Sequence, residues 1–202
     1  QQQTTMTARK QQIIIATASR LFREYGFAAV SVGRICKEAA VSRVTFYKYY
    51  GGKNALLREI VTEQKDRIRA EFESLLERRC GLREVAETVF ALQGQSFEEL
   101  YSAAFLRDIG ENDDLELERF FKELDEEKYA FMRYFFHTLQ SRRLIAPNLP
   151  VELIDLFIRQ ADVLMRHPRL TALYAASPQK LPQDVLGLLL HGLAGEQSKR
   201  KV

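Results

Sequence analysis

Apolar residues recur at helical spacing along most of the chain. Ile14, Ala18, Leu21, Phe22 and Tyr25 fall at i, i+4, i+7, i+8 and i+11, which is one face of a helix. Gly26 follows directly, at the position after a helix C-terminus where the left-handed conformation is needed, and Phe27 stands where the accompanying apolar contact forms. The β-branched run Ile13–Ile15 is strand-like on its own, but the longer period outweighs it. The first helix is therefore expected to end at about Tyr25.

Ser31 is a good N-cap, after which Val32, Ile35, Cys36 and Ala39 repeat at helical spacing over about two turns. Ala40-Val41 make a tight connection, and Ser42 caps a third helix in which Phe46 and Tyr50 share a face. Two short helices joined by such a turn predict a helix-turn-helix over residues 31–50, the second helix presenting its outer face. Arg43, Thr45, Lys48 and Tyr49 are read as that outer face. Gly51-Gly52 then redirect the chain, and Lys53 opens the next helix.

Helical periodicity continues in the remainder. A long charge-laced helix runs from Asn54 to about Arg79, and another from Leu82 to about Arg107, with breaks expected at Gly94 or Gly110. Asp113 and Asp114 are placed to cap a helix reaching about Leu144. Leu149–Arg166, a short segment near Leu170–Ala176 and Pro182–Leu193 complete an all-α chain of about nine helices.

Composition agrees. With 10 glycines and 5 prolines in 202 residues, the prolines all at or after Pro147, the turn signals of a β-sandwich or barrel are missing. No apolar run approaches the roughly 18 residues of a membrane span, so no membrane partner is expected. Ile13–Ala16 is too short for the apolar core of a signal peptide. Cys36 and Cys80 are too few for a disulfide framework, which suits a reducing cytosol. His137, His167 and His191 lack metal-ligand spacing. Gly187 and Gly192 are followed by Leu193-Ala194 where a phosphate loop needs Lys and Ser or Thr. Without a nucleophile–base pair or a metal site, nothing argues for an enzyme, and no cofactor is expected.

Charge changes the picture more. Residues 1–58 carry ten Lys or Arg against Glu24 and Glu38, a net of +8, whereas residues 59–202 carry 20 bases and 25 acids, a net of −5. A basic head on an acidic body suggests a polyanion-binding module attached to a body of different purpose. Arg43 and Lys48 suit phosphates or guanine edges, and Thr45 suits a hydrogen-bonding edge or a thymine methyl. The hydroxyls of Tyr47 and Tyr49 suit backbone oxygens. Lys53 and the adjoining helix N-terminal amides form an anion site. The acidic stretch Glu111–Glu127 reads as a solvated helical face.

The stretch from Ile13 to Ile60 resembles the N-terminal domain of the TetR family of bacterial transcriptional regulators. The resemblance lies in LFREYGF (21–27), the Ser31–Ala39 helix, AVSRVTFYKYY (40–50) and GGKNALL (51–57). It implies that Arg43, Thr45, Tyr47, Lys48 and Tyr49 face DNA, that Lys53 meets a phosphate, and that Ser31 caps a helix whose start meets another. Three positions depart from the pattern: Ala40 stands for the common turn glycine, Tyr50 for a core phenylalanine, and Asn54 for an acid. Ala40 is expected to shift the angle between the two short helices slightly.

The expected organisation is a DNA-binding domain over residues 8–58 and a helical ligand-binding and dimerisation domain over 59–202. Leu153, Phe157 and Ala161, with Leu186, Leu189, Leu190 and Leu193, lie on apolar faces that are either internal core or a dimer interface. The resemblance favours the homodimer, because the last two long helices of that family pair with their twins. Two copies would present two recognition helices to a palindrome in double-stranded DNA. Aromatic residues crowd the middle helices, and the resemblance implies an effector pocket there. Tyr101, Phe105, Met132, Phe136 and His137 are its candidate lining, for an apolar or aromatic small molecule. The expected function is a dimeric repressor released from its operator by that ligand, in a bacterial cytoplasm and associated with the nucleoid. A regulator answering to a protein partner, or to no ligand, stands as the alternative.

Overall fold

The computed structural model describes residues 2–78, 80–99 and 102–194, without the side chains of 2–7, 86, 90, 93–99, 103, 186 and 189–194. Every regular element among the described residues is a helix: α1 (Gln2–Tyr25), α2 (Val32–Glu38), α3 (Arg43–Tyr49), α4 (Lys53–Glu77), α5 (Leu82–Glu99), α6 (Ala103–Gly110), α7 (Leu115–Ser141), α8 (Val151–Met165), α9 (Pro168–Leu173) and α10 (Lys180–Ala194). The chain forms two compact units, Gln1–Arg67 with Ser96–Phe120, and Ile68–Gln95 with Phe121–Val202.

One expected helix is two. The segment expected to run from Leu82 to about Arg107 ends at Glu99, and α6 begins afresh with Ser102 as N-cap, its hydroxyl accepting from Phe105 N–H at 3.2 Å. Gly94 lies inside α5 and does not break it. A capping serine outranks a mid-helix glycine here because it satisfies an orphan amide, whereas the glycine costs only about 1 kcal/mol. Asp114 caps α7 as expected: its Oδ1 accepts from Glu116 N–H at 2.9 Å and Leu117 N–H at 3.0 Å.

In the first unit α1 buries Ile14, Ala18, Leu21 and Phe22, the face read from the spacing. Ile35, Phe46, Leu56, Leu57, Phe105 and Leu117 are buried with them. The edges of Phe22 and Phe27 meet at 5.1 Å between ring centres, a T-shaped geometry that aromatic quadrupoles favour. Gly26 adopts φ +82 and its N–H reaches Phe22 C=O at 2.9 Å, a left-handed helix end that only glycine adopts without strain.

In the second unit Phe72, Leu76, Val85, Val89, Leu92, Phe135, Phe136, Leu139, Ile145 and Ile154 form a core. A polar seam joins α7 to α8: Asp162 accepts from Lys128 Nζ at 2.6 Å and from Tyr129 Oη at 2.7 Å. Asp155 accepts from Arg133 at 3.0 Å and Arg159 at 2.9 Å. Those arginines outweigh its desolvation and hold its carboxyl below the usual range.

α8 divides its apolar residues between two sides. Ile154 and Ala161 are buried, with Ile158 packed beside them, whereas Leu153, Leu156, Phe157, Val163 and Leu164 are exposed. The sequence grouped Ala161 with Leu153 and Phe157 as one candidate dimer face. The four- and seven-residue steps from Ile154 instead turn Ala161 into this chain's own core. The side chains of Leu186, Leu189, Leu190 and Leu193 lie outside the described residues.

Candidate nucleic-acid interface

The turn between α2 and α3 is built by two caps and one strained residue. Ser31 Oγ accepts from Arg34 N–H at 3.2 Å and opens α2. At its end Val41 N–H reaches Cys36 C=O at 3.0 Å and Ala40 N–H reaches Lys37 C=O at 3.3 Å. This paired closure is a Schellman motif, and it needs a left-handed residue, which Ala40 supplies at φ +52. The alanine thus adopts a left-handed conformation that favours glycine. Ser42 Oγ then accepts from Thr45 N–H at 3.0 Å and opens α3.

α3 is anchored on one side and bare on the other. Phe46 is fully buried and Tyr50, just past the helix, is 2% exposed. Arg43, Val44, Tyr47 and Lys48 are exposed, while Thr45 and Tyr49 are half-buried. The outward stripe therefore runs through Val44, Tyr47 and Lys48, at i, i+3 and i+4. Thr45, assigned to that stripe from the sequence, has its hydroxyl 2.9 Å from Ser42 Oγ. Arg43 lies back over α2: a Cβ built on Gly33 would stand 2.7 Å from its Nη2. Val44, 82% exposed, is absent from the outer face read from the sequence, which is drawn from residues that donate or accept hydrogen bonds.

α2 is held to α1 by charge. Glu38 accepts from Arg20 at 2.5 Å and from Arg34 at 3.1 Å, and both arginines hold its carboxyl below the usual range. Arg34 also stacks on the Tyr25 ring, 3.8 Å from its centre.

Lys53 opens α4 with its ammonium turned toward the α1–α2 connection. Its Nζ donates to Phe27 C=O at 2.8 Å and sits 4.3 Å from the Phe27 ring centre. Burial lowers its pKa and the nearby Asp108 partly restores it. Asn54 donates to Asp114 at 2.6 Å and Arg58 to Glu116 at 2.9 Å, so the start of α4 is tied to the start of α7.

The candidate effector residues do not share one environment. Phe105 is buried in the first unit, Phe136 belongs to the second unit's core, and Met132 packs against that core. His137 is exposed, one position past the buried Phe136. Tyr101 lies outside the described residues. Among the described residues no cluster of metal-binding side chains occurs, and no helix is long and apolar enough to cross a membrane.

Residues 14–60 match the family of bacterial regulatory proteins, tetR family. Over 84 residues the chain is 30% identical to the HTH-type transcriptional regulator UidR of Escherichia coli strain K12, covering 42% of this chain and 43% of that one. It is 38% identical over 64 residues to the regulator EthR of Mycolicibacterium smegmatis, covering 32% of this chain and 30% of that one. The chain thus matches less than half the length of these relatives. In fold it is similar to the transcriptional regulator FadR from Bacillus subtilis, solved in complex with stearoyl-CoA, with a TM-score of 0.67, 19% identity, and 90% and 98% of the two chains covered. The similar proteins are transcriptional regulators and not enzymes. The family match and the helix-turn-helix coincide, so residues 14–60 of this chain are similar to the N-terminal part of the tetR family of bacterial regulatory proteins.

Proposed function

We propose that this chain is a homodimeric, sequence-specific transcriptional repressor that leaves a palindromic operator when a small molecule binds its C-terminal part. The supporting observation is the bare outer side of α3, with Arg43, Val44, Tyr47 and Lys48 exposed on a helix braced by Phe46. DNA binding is assigned to residues 8–58, with Tyr47 and Lys48 facing the groove and Ser31, Arg43, Thr45, Tyr49 and Lys53 nearer its rim. Effector binding and dimerisation fall to 59–202. The exposed side of α8, with Leu153, Phe157 and Leu164, supports pairing with a second copy, since an apolar stripe left to water is the usual mark of an interface. Two recognition helices would then meet half-sites about 34–36 Å apart, or a multiple of that.

The effector acts by population shift: it favours a conformation in which the two heads no longer fit the two half-sites, and DNA weakens the effector by the same factor. The stearoyl-CoA bound to the structurally similar FadR of Bacillus subtilis supports a largely apolar ligand. The site of action is the bacterial cytoplasm, at the nucleoid.

The test is selection of operators from a random duplex library, followed by gel shift. Lys48→Ala should weaken the selected operator at least tenfold without changing the dimer seen on gel filtration. Normal binding by that variant would overturn the assignment of α3. A thermal-shift screen that includes acyl-CoAs addresses the ligand, because a true effector at about 100 times its Kd stabilises by about 2.7 kcal/mol. A screen in which nothing stabilises the protein or releases the operator overturns the ligand-responsive part.

A further inference from the structure

Val44 carries more information than its neighbours on the bare side of α3. At 82% exposed it is the barest large apolar side chain among the described residues, on an otherwise polar and cationic stripe with Lys48 one turn on and Tyr47 beside it. It has no ring or long stem to fold back, and no apolar partner covers it. A β-branched side chain in a helix has essentially one χ1 rotamer, so its two methyls are held still. It sits in the first turn of α3, and the N-terminal residues of a recognition helix are the ones that reach base edges.

We propose that Val44 reads the 5-methyl group of a thymine in the major groove and is a specificity determinant of the operator. This rests on α3 being the recognition helix. Valine has neither donor nor acceptor, so it gains nothing from guanine, adenine or unmodified cytosine edges and would desolvate them at a cost. Thymine alone among the unmodified bases offers an apolar group there. Thr45, the other residue suited to a methyl, is half-buried and turned to Ser42 through both its amide and its hydroxyl. The guanidinium of Arg43 lies against Gly33 of α2, and Val44 remains 82% exposed.

The experiment uses the full chain and operators selected from a random duplex library by the wild type and by Val44→Ala. The wild type selects thymine at one fixed position of each half-site, and Val44→Ala loses that preference while keeping the rest of the motif. Deoxyuridine at that position removes only the methyl, and it weakens wild-type binding about fourfold per half-site, from about 0.8 kcal/mol per buried methyl-sized group. The same replacement changes Val44→Ala binding less than twofold, and Val44→Ile keeps the thymine preference, which shows that the loss is not one of folding. A 5-methylcytosine at the position restores wild-type affinity relative to unmodified cytosine. If Val44→Ala selects the same thymine, or deoxyuridine weakens both proteins equally, the methyl is read elsewhere and the proposal falls. If the wild type selects no motif at all, the recognition-helix reading falls and takes this one with it.

Discussion

The carboxylate of Asp108 and the backbone of Gly26 occupy adjoining space. Asp108 Oδ2 accepts from Ala28 N–H at 2.9 Å, and the same oxygen fills the volume a Cβ on Gly26 would need. Gly26 is also left-handed, at φ +82. A residue of α6, 82 positions further along the chain, thus closes the end of α1. Asp108 is largely buried, and it helps to hold the charge of Lys53.

Gly26→Ala should therefore fail for two separable reasons. The left-handed backbone costs about 1–2 kcal/mol with a Cβ present, and the collision with Asp108 adds to it. In an Asp108→Ala background the collision is gone and only the backbone cost remains. Urea denaturation of the four proteins should show a smaller loss for Gly26→Ala in that background. Equal losses would mean that the two residues do not compete for space.

Ala40 is left-handed in the turn between α2 and α3, and Arg143 is left-handed in the same kind of closure after α7, where Leu144 N–H reaches Leu139 C=O at 3.0 Å. Glycine relieves the strain of about 1–2 kcal/mol, less about 0.4–1 kcal/mol of added freedom in the unfolded chain. Ala40→Gly and Arg143→Gly should each stabilise by about 0.5–1 kcal/mol in urea denaturation. A loss at Ala40 would indicate that the alanine methyl has a packing role.

Tyr50 is buried and its hydroxyl meets no hydrogen-bond partner among the described residues. Burial first, then Glu59 and Glu63, push its phenol well above the usual range. Removing an unsatisfied buried hydroxyl should help, so Tyr50→Phe is expected to stabilise by about 1 kcal/mol. A lower denaturation midpoint in the variant would overturn this.

Glu38 makes the α1–α2 contact sensitive to acid. Its two arginine partners lower its folded pKa below the unfolded value of about 4.3. The contribution is complete above that unfolded value and disappears as pH falls through the folded one. Glu38→Gln should be less stable than the wild type at about pH 7 and indistinguishable at about pH 2. A gap that persists in acid would place the effect in side-chain shape and not in charge.

Lys53 has two expected roles, which separate cleanly. Lys53→Ala removes the bond to Phe27 C=O and should cost about 1 kcal/mol without DNA present. It should also weaken all duplexes about equally and reduce the salt slope by roughly one. A stability loss with an unchanged slope would make Lys53 a brace for the head and remove it from the phosphate contacts.

Much of the head was legible because its signals are local. The spacing of Ile14, Ala18, Leu21 and Phe22, the caps Ser31, Ser42 and Asp114, and the stop at Gly26 each depend on residues a few positions apart, where helix geometry is fixed. The tetR-family match over residues 14–60 rests on the same local order. What the sequence could not supply was phase and distance. Val44 carries no hydrogen-bonding group to mark it as an outer-face residue, and its 82% exposure appears only in the folded chain. Ala161 reads as interface until Ile154 draws it into the second unit's core, and Thr45 reads as free until Ser42 engages it. The grip of Asp108 on Gly26 spans 82 positions and leaves no periodic trace. Hydrogen bonds and steric exclusion act through space, so residues distant along the chain reveal their relationship only once the helices are packed.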